Sequence, residues 1–224
     1  MQAMIFSAGL GTRFKPWTDK HPKALAMVNG KSLLQRNIEY LQQYGIKDII
    51  VNVHHFAEQI EDAIVENDGW GSNILISDER DVVLETGGGL LKAKELFNPG
   101  ERFITCNVDI LSNLNINKLL TFHEQHHCGW RNSLTGEEKG PHLTSPQRGG
   151  TTSLIEKAYS CFVVFEYDIF RLMEENNFTG KFSLIDVYLK LAADHLIMGY
   201  DHSGDKLVDV GKPESVAVAE SLFV

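Results

Sequence analysis

The chain has 224 residues, 43% of them hydrophobic and 23% charged, a composition that excludes disordered, collagen-like and coiled-coil classes and leaves a sizeable core. With 21 Lys and Arg against 30 Asp and Glu the net charge is −9, so the broad positive field needed for nucleic acid or for a polybasic membrane contact is excluded. A small anionic ligand held by local positive charge is not.

Gln2 to Ala8 is a short apolar run ending at Gly9, the pattern of a strand buried on both faces. With no Lys or Arg ahead of it, it does not read as a secretory signal. Ser32 can cap a helix carrying Leu33, Leu34, Ile38 and Leu41 that stops at Tyr44-Gly45, where glycine can adopt the left-handed conformation. Asp48 to Val53 reads as a strand, Phe56 to Asn67 as a helix, Asn73 to Ser77 as a strand and Gly87 to Phe97 as a helix with a glycine start. Arg102 to Asn107 and Asn115 to His127 repeat the pair. Such alternation predicts an α/β fold: a doubly wound parallel sheet with helices on both faces. From Gly129 to Thr152 periodicity fades and a long irregular loop is expected. Tyr159 to Phe165 then reads as a strand, Leu184 to Ala193 as a helix, Lys206 to Val210 as a strand and Pro213 to Leu222 as a closing helix with proline in its first turn. The longest strongly apolar stretch, Cys161 to Phe165, is far short of the ~20 residues that span a bilayer.

Chemistry concentrates after the first strand, in Ser7-Ala8-Gly9-Leu10-Gly11-Thr12-Arg13. In an open α/β sheet this is where backbone N–H groups face a ligand. A tight turn that merely needs glycine would read the same, but the neighbours favour a phosphate site. Arg13, Lys15, Lys20 and Lys23 stand against Asp19 alone, a local charge of +3 in an acidic chain, suited to several phosphates. The dinucleotide fingerprint fails at Phe14, where it wants a third glycine, and the lysine of a P-loop is also missing. An oxidoreductase holding NAD is accordingly disfavoured.

Gly9-Leu10-Gly11-Thr12-Arg13-Phe14-Lys15-Pro16-Trp17-Thr18, followed by Pro22-Lys23-Ala24-Leu25, resembles the signature of sugar-1-phosphate nucleotidylyltransferases, G-x-G-T-R-x-x-P-x-T with a nearby P-K-x-L. The resemblance continues through Leu84-Glu85-Thr86-Gly87-Gly88-Gly89, Asn107-Val108-Asp109, Phe182-Ser183-Leu184-Ile185-Asp186 and Val208-Asp209-Val210-Gly211, nearly the whole chain. Within that family it is similar to the N-acetylmuramate-1-phosphate uridylyltransferase branch of cell-wall recycling, which carries a similar L-E-T-G-G-G and V-D-V-G. The resemblance implies one nucleotidyltransferase domain over 1–224, with a Rossmann-like α/β/α sandwich on a mostly parallel mixed sheet. It implies that Ala8, Gly9, Gly11, Thr12 and Arg13 hold a nucleoside triphosphate and that Lys23 contacts phosphate in the reacting complex. Thr86 and Gly87 are expected at the base. Glu156, from an Glu156-Lys157-Ala158 that resembles the E-K-P of some relatives, is the candidate for the sugar.

Independently of family, Asp109 falls just after the fourth strand, so its end shares a crevice with the glycine loop. A helix or turn cap is the competing reading. Asp209 ends a late strand, and two aspartates with phosphates and waters suffice for Mg²⁺. Asp109 and Asp209 are therefore the expected metal ligands, and Arg13, Lys23 and Asp109 the expected catalytic groups. The expected partners are a nucleoside triphosphate and a sugar 1-phosphate, with UTP and N-acetylmuramate 1-phosphate preferred. GTP with heptose or mannose 1-phosphate would use much the same residues, as would CTP with a phosphocholine-like acceptor. A catalytically impaired, nucleotide-binding regulatory protein is the alternative from another class. In relatives the helix after the metal-binding aspartate leads into a strand and hairpin, for which the chain is expected to leave no room between His127 and Cys128. His123, His126 and His127 have a helical spacing but no companion ligands. Three cysteines, Cys106, Cys128 and Cys161, odd in number and without C-x-x-C, predict a reducing, cytoplasmic compartment. An exposed apolar closing helix would suggest a homodimer.

Overall fold

The computed structural model describes residues 1–126, 130–135, 158–195 and 197–224. The first strand, β1 (Gln2–Phe6), is buried along its whole length. It lies between two parallel neighbours, β4 (Asp48–Val53) and β6 (Phe103–Asn107). Beyond β4 lies β5 (Asn73–Asp78), also parallel. On the other side β9 (Ala158–Phe165) runs antiparallel to β6, and β8 (Trp130–Thr135) and β10 (Ile197–Asp201) complete a seven-stranded sheet in the order β10-β8-β9-β6-β1-β4-β5. Two small antiparallel pairs stand outside it: β2 (Met27–Val28) with β3 (Lys31–Ser32), and β7 (Ile110–Ser112) with β11 (Leu207–Asp209).

Period-two alternation divides each central strand between two cores. Ala3, Ile5, Ile49, Val51, Val53, Ile104 and Phe162 face one side, with helices α1 (Leu33–Gln42), α2 (Ala57–Glu66), α4 (Ile116–His126) and α7 (Glu214–Leu222). Met4, Phe6, Ile50, Phe103, Val163 and Phe165 face the other, with α3 (Glu85–Lys92), α5 (Ile169–Glu175) and α6 (Leu184–Leu191). The result is the α/β/α sandwich the alternation predicts, on the mostly parallel, mixed sheet the resemblance implies, β9 running antiparallel to both its neighbours. Burying one such Phe, Ile or Leu contributes about 1.5–3 kcal/mol against the entropy of ordering it.

Local signals explain the helix starts. The Ser32 hydroxyl accepts from Gln35 N–H at 3.1 Å. Ser183 and Asp186 form a reciprocal capping box, and the backbone N–H of Ser183 holds the Asp186 carboxyl below its ordinary pKa.

Three expectations are corrected. The irregular stretch from Gly129 contains a strand, β8, so the chain does enter a strand soon after α4. Its sequence, Trp-Arg-Asn-Ser-Leu-Thr, has mixed polarity, and main-chain pairing with β9 and β10 on its two flanks builds the strand without an apolar run. Helix α5 and strand β10 were hidden for a related reason: the helix is only about two turns long, and β10 is only half-buried. The glycine-rich helix begins at Glu85 and ends at Lys92, with a separate turn over Lys94–Leu96. The rest of the expected loop, with Glu156, lies outside the described residues. No helix among the described residues is long and apolar enough to cross a membrane. The closing helix packs Ala219, Val216 and Leu222 against the first core and leaves Val218 exposed.

Candidate active site

Past Phe6 the chain leaves the sheet, and Ser7 and Ala8 stay buried while Gly9, Leu10, Thr12 and Arg13 emerge. Gly11 turns the chain back with φ 61° and ψ 30°. Its carbonyl accepts from Phe14 N–H at 2.8 Å and from the Thr18 hydroxyl at 2.9 Å. A side chain at Gly11 would need the left-handed conformation and would stand 2.8 Å from Thr18 Cγ2, so glycine is required there. Gly9 has open space beyond its Cα.

The carboxylates arrive from elsewhere in the chain. Val108 N–H donates to Phe6 O at 3.0 Å, and the buried Asn37 amide donates to Val108 O at 2.9 Å, which fixes the Asn107-Val108-Asp109 turn against β1 and α1. Pairing of β7 with β11 sets Asp209 opposite Ile110, and Val210 N–H donates to Asp109 O at 2.8 Å. The Lys23 ammonium donates to Asp109 Oδ2, the two side chains being 14% and 12% exposed. An alanine Cβ at Gly211 would lie 2.7 Å from Asp209 Oδ1 and 2.9 Å from Arg13 Nη2. Arg13 and Asp209 thus flank one point beside the buried Gly211. Burial first, then the negative charges of Asp109 and Asp209, push the Cys161 thiol far above its ordinary value, while Lys23 opposes. Arg13 and Lys23, Asp109, and Asp209, from three widely separated parts of the chain, therefore occupy one neighbourhood at the carboxyl end of β1 and β6. Of the other loop cations, Lys15 pairs with Asp19 at 2.9 Å on the surface.

The donor chemistry fits a hard divalent cation. Carboxylate oxygens from Asp109 and Asp209 stand beside a loop open to phosphates, and Mg²⁺ takes one or two carboxylates and completes its shell with phosphate and water oxygens. Among the described residues no group of three or more His, Cys, Asp and Glu side chains could hold a metal without such help. His123 belongs to the core instead: it is 3% exposed, and its Nε2 lies 2.6 Å from Glu166 Oε1.

Thr86 and Gly87 are engaged by the chain at the start of α6. The Thr86 hydroxyl accepts from Leu184 N–H at 3.0 Å, and Gly87 and Gly88 N–H donate to Phe182 O at 3.0 and 3.1 Å. An alanine Cβ at Gly87 would lie 2.5 Å from the Phe182 ring, one at Gly88 would fall inside the Gly180 carbonyl oxygen, and one at Gly89 would lie 2.6 Å from Glu79 Oε1. The glycine run is set by close packing.

Residues that pattern reading missed are Asn52, Glu79, Cys161 and Asn37. Asn52 interrupts the apolar run of β4 that follows Asp48, Ile-Ile-Val-Asn-Val, and that interruption was the available signal.

The nucleotidyl transferase family profile matches residues 2–139. N-acetylmuramate alpha-1-phosphate uridylyltransferase of Caulobacter vibrioides is 42% identical over 109 residues, 48% of this chain and 45% of that protein. The protein of the same name from Neisseria meningitidis is 40% identical over 114 residues, 51% of this chain and 49% of its own. The chain thus spans about half the length of these relatives. Among solved structures, a putative glucose-1-phosphate thymidylyltransferase from Bacillus anthracis superposes with a TM-score of 0.85 at 15% identity, covering 99% of this chain and 94% of its own; that likeness concerns the fold.

Proposed function

Because the chain belongs to the nucleotidyl transferase family, with the family profile covering the glycine loop, Lys23 and Asp109, we propose that residues 1–224 act as one domain that transfers a nucleotidyl group from a nucleoside triphosphate to a sugar 1-phosphate. The product is a nucleoside diphosphate sugar, and pyrophosphate leaves. UTP and N-acetylmuramate 1-phosphate are the preferred pair, on the strength of the two relatives of that name. The observation that carries the reading is the meeting of Lys23 with Asp109, with Arg13 and Asp209 flanking Gly211, beside an exposed glycine loop.

The reaction needs no protein nucleophile. An anionic oxygen of the sugar 1-phosphate attacks the α-phosphorus, the bond to the bridging oxygen breaks, and its electron pair departs with pyrophosphate. Catalysis rests on positioning and charge neutralisation. The backbone from Ala8 to Thr12 cradles the triphosphate. Arg13 offsets charge on the departing pyrophosphate, and Lys23 holds two mutually repelling anions together. Asp109 and Asp209 would hold Mg²⁺, which supplies neutralisation of charge on phosphate oxygens. Thr86 and Gly87 are the candidates for contact with the base and Glu156 for contact with the sugar, on the resemblance of their motifs.

The test is pyrophosphate release with four triphosphates crossed against a panel of sugar 1-phosphates, with and without Mg²⁺. Release that depends on Mg²⁺ and is fastest with UTP and N-acetylmuramate 1-phosphate is expected. Fastest release with GTP and a heptose or mannose phosphate would move the substrate, and nucleotide binding without release anywhere in the panel would replace the enzyme with a regulatory protein.

A further inference from the structure

We propose that Asn52 and Glu79, neither of which is placed to touch substrate, are positioning residues for the triphosphate, forming a buried bridge from the root of the phosphate loop to the glycine-rich helix α3. The inference rests on the reading that the loop binds a nucleoside triphosphate.

Asn52 sits on β4 opposite Phe6, the last paired residue of β1. It is 2% exposed, where strand alternation would put an apolar side chain beside Ile50. Burying a primary amide is costly unless its groups are bonded. Its Oδ1 accepts from Ser7 N–H at 2.7 Å and Ala8 N–H at 3.3 Å, and its backbone carbonyl accepts from the Ser7 hydroxyl. Two successive N–H groups beyond the end of the strand ladder thus converge on one oxygen, which curls the backbone at the point where Gly9 begins. The sheet ladder continues for two residues through a side chain.

The other end of the amide fixes its orientation. Asn52 Nδ2 donates to Glu79 Oε1 at 2.7 Å, so the amide cannot flip without losing this bond and both loop bonds. Glu79 is fully buried. Its own N–H donates to Val53 O at 2.7 Å, and its carbonyl lies 2.7 Å from His54 Nδ1. Its carboxyl packs so close to Gly89 that no side chain fits between them. Burial raises the carboxyl's pKa, against the opposing pull of Asn52, the Leu84 N–H, Lys92 and His54. A group sealed in this way acts on a nucleotide only through what it holds, which is Asn52 on one side and α3 on the other.

The experiment is equilibrium binding of UTP with Mg²⁺ to the whole chain and to Asn52→Ala, Glu79→Ala, the double variant and Glu79→Gln, with melting temperatures recorded. Each alanine variant is expected to weaken UTP at least tenfold. The double variant should bind no more weakly than Asn52→Ala alone, because Glu79 works through Asn52. Glu79→Gln, which keeps an acceptor for the amide, should recover affinity to within about threefold of the parent. If Glu79→Ala does not fold, Asn52→Leu, which fills the same space in an apolar wall, must give the tenfold loss. A lower melting temperature with unchanged UTP affinity, or multiplicative losses in the double variant, overturns the inference and leaves the proposed function standing. A parent chain that binds none of the four triphosphates sinks both.

Discussion

The molecule uses glycine-rich sequence twice, for opposite purposes. Around Gly9 and Gly11 the chain is exposed, Gly9 faces open space, and only Gly11 is constrained, by a left-handed backbone and by Thr18. From Gly87 to Gly89 every added methyl would strike Phe182, Gly180 or Glu79, and all three glycines are buried. The first segment leaves open space, which suits the phosphate site proposed above; the second omits side chains so that the chain can approach itself. Similar composition therefore leaves an open turn in one place and a close packing in the other, and the neighbours decide which.

Substitutions should separate the two roles. Gly88→Ala drives a methyl into the backbone carbonyl of Gly180, which has no flexible end to move. It should cost about 3 kcal/mol and lower Tm by roughly 6–12 °C, read by calorimetry; an unchanged Tm would deny the packing role. Gly11→Ala must take φ near 61° and should cost about 1–2 kcal/mol in urea unfolding. Ser183→Ala removes the cap on the helix whose first residue bonds Thr86, at about 1 kcal/mol. Because Asp186 has a lowered pKa in the folded state, its share of that box is present above the ordinary carboxylate range and lost as pH falls through the lowered value. The stability gap between Ser183→Ala and the parent should shrink in acid; a gap that widens there would contradict the box. Gly9→Ala should leave stability within about 0.5 kcal/mol and raise the KM for UTP several-fold, a split no packing glycine would give.

The sequence alone revealed the central sheet and the loop for physical reasons. Strands β1, β4 and β6 are buried on both faces and read as apolar runs. The cations at Arg13 and Lys23 stand out against an acidic chain. What stayed hidden was structure made by main-chain pairing or by tertiary contact. Strand β8 has no apolar run to announce it. The partners of Gly87 and Gly88 lie near Gly180 and Phe182, about ninety residues on. Asn52 and Glu79 acquire meaning only once β4 and β5 are placed beside β1. The two aspartates were found as candidates, but their convergence depends on the β7–β11 pair, in which Asp209 faces Ile110; the pair's short strands carry no sign of each other.

The central claim is that Asp109, held by Lys23 and joined through β11 to Asp209, does chemistry. Its most direct test is pyrophosphate release by Asp109→Asn beside the parent chain at saturating UTP, Mg²⁺ and N-acetylmuramate 1-phosphate, with Tm measured on the same samples. The account predicts turnover down by about 10²–10³ with Tm nearly unchanged. Turnover within about threefold of the parent would show that the carboxylate takes no part in the reaction.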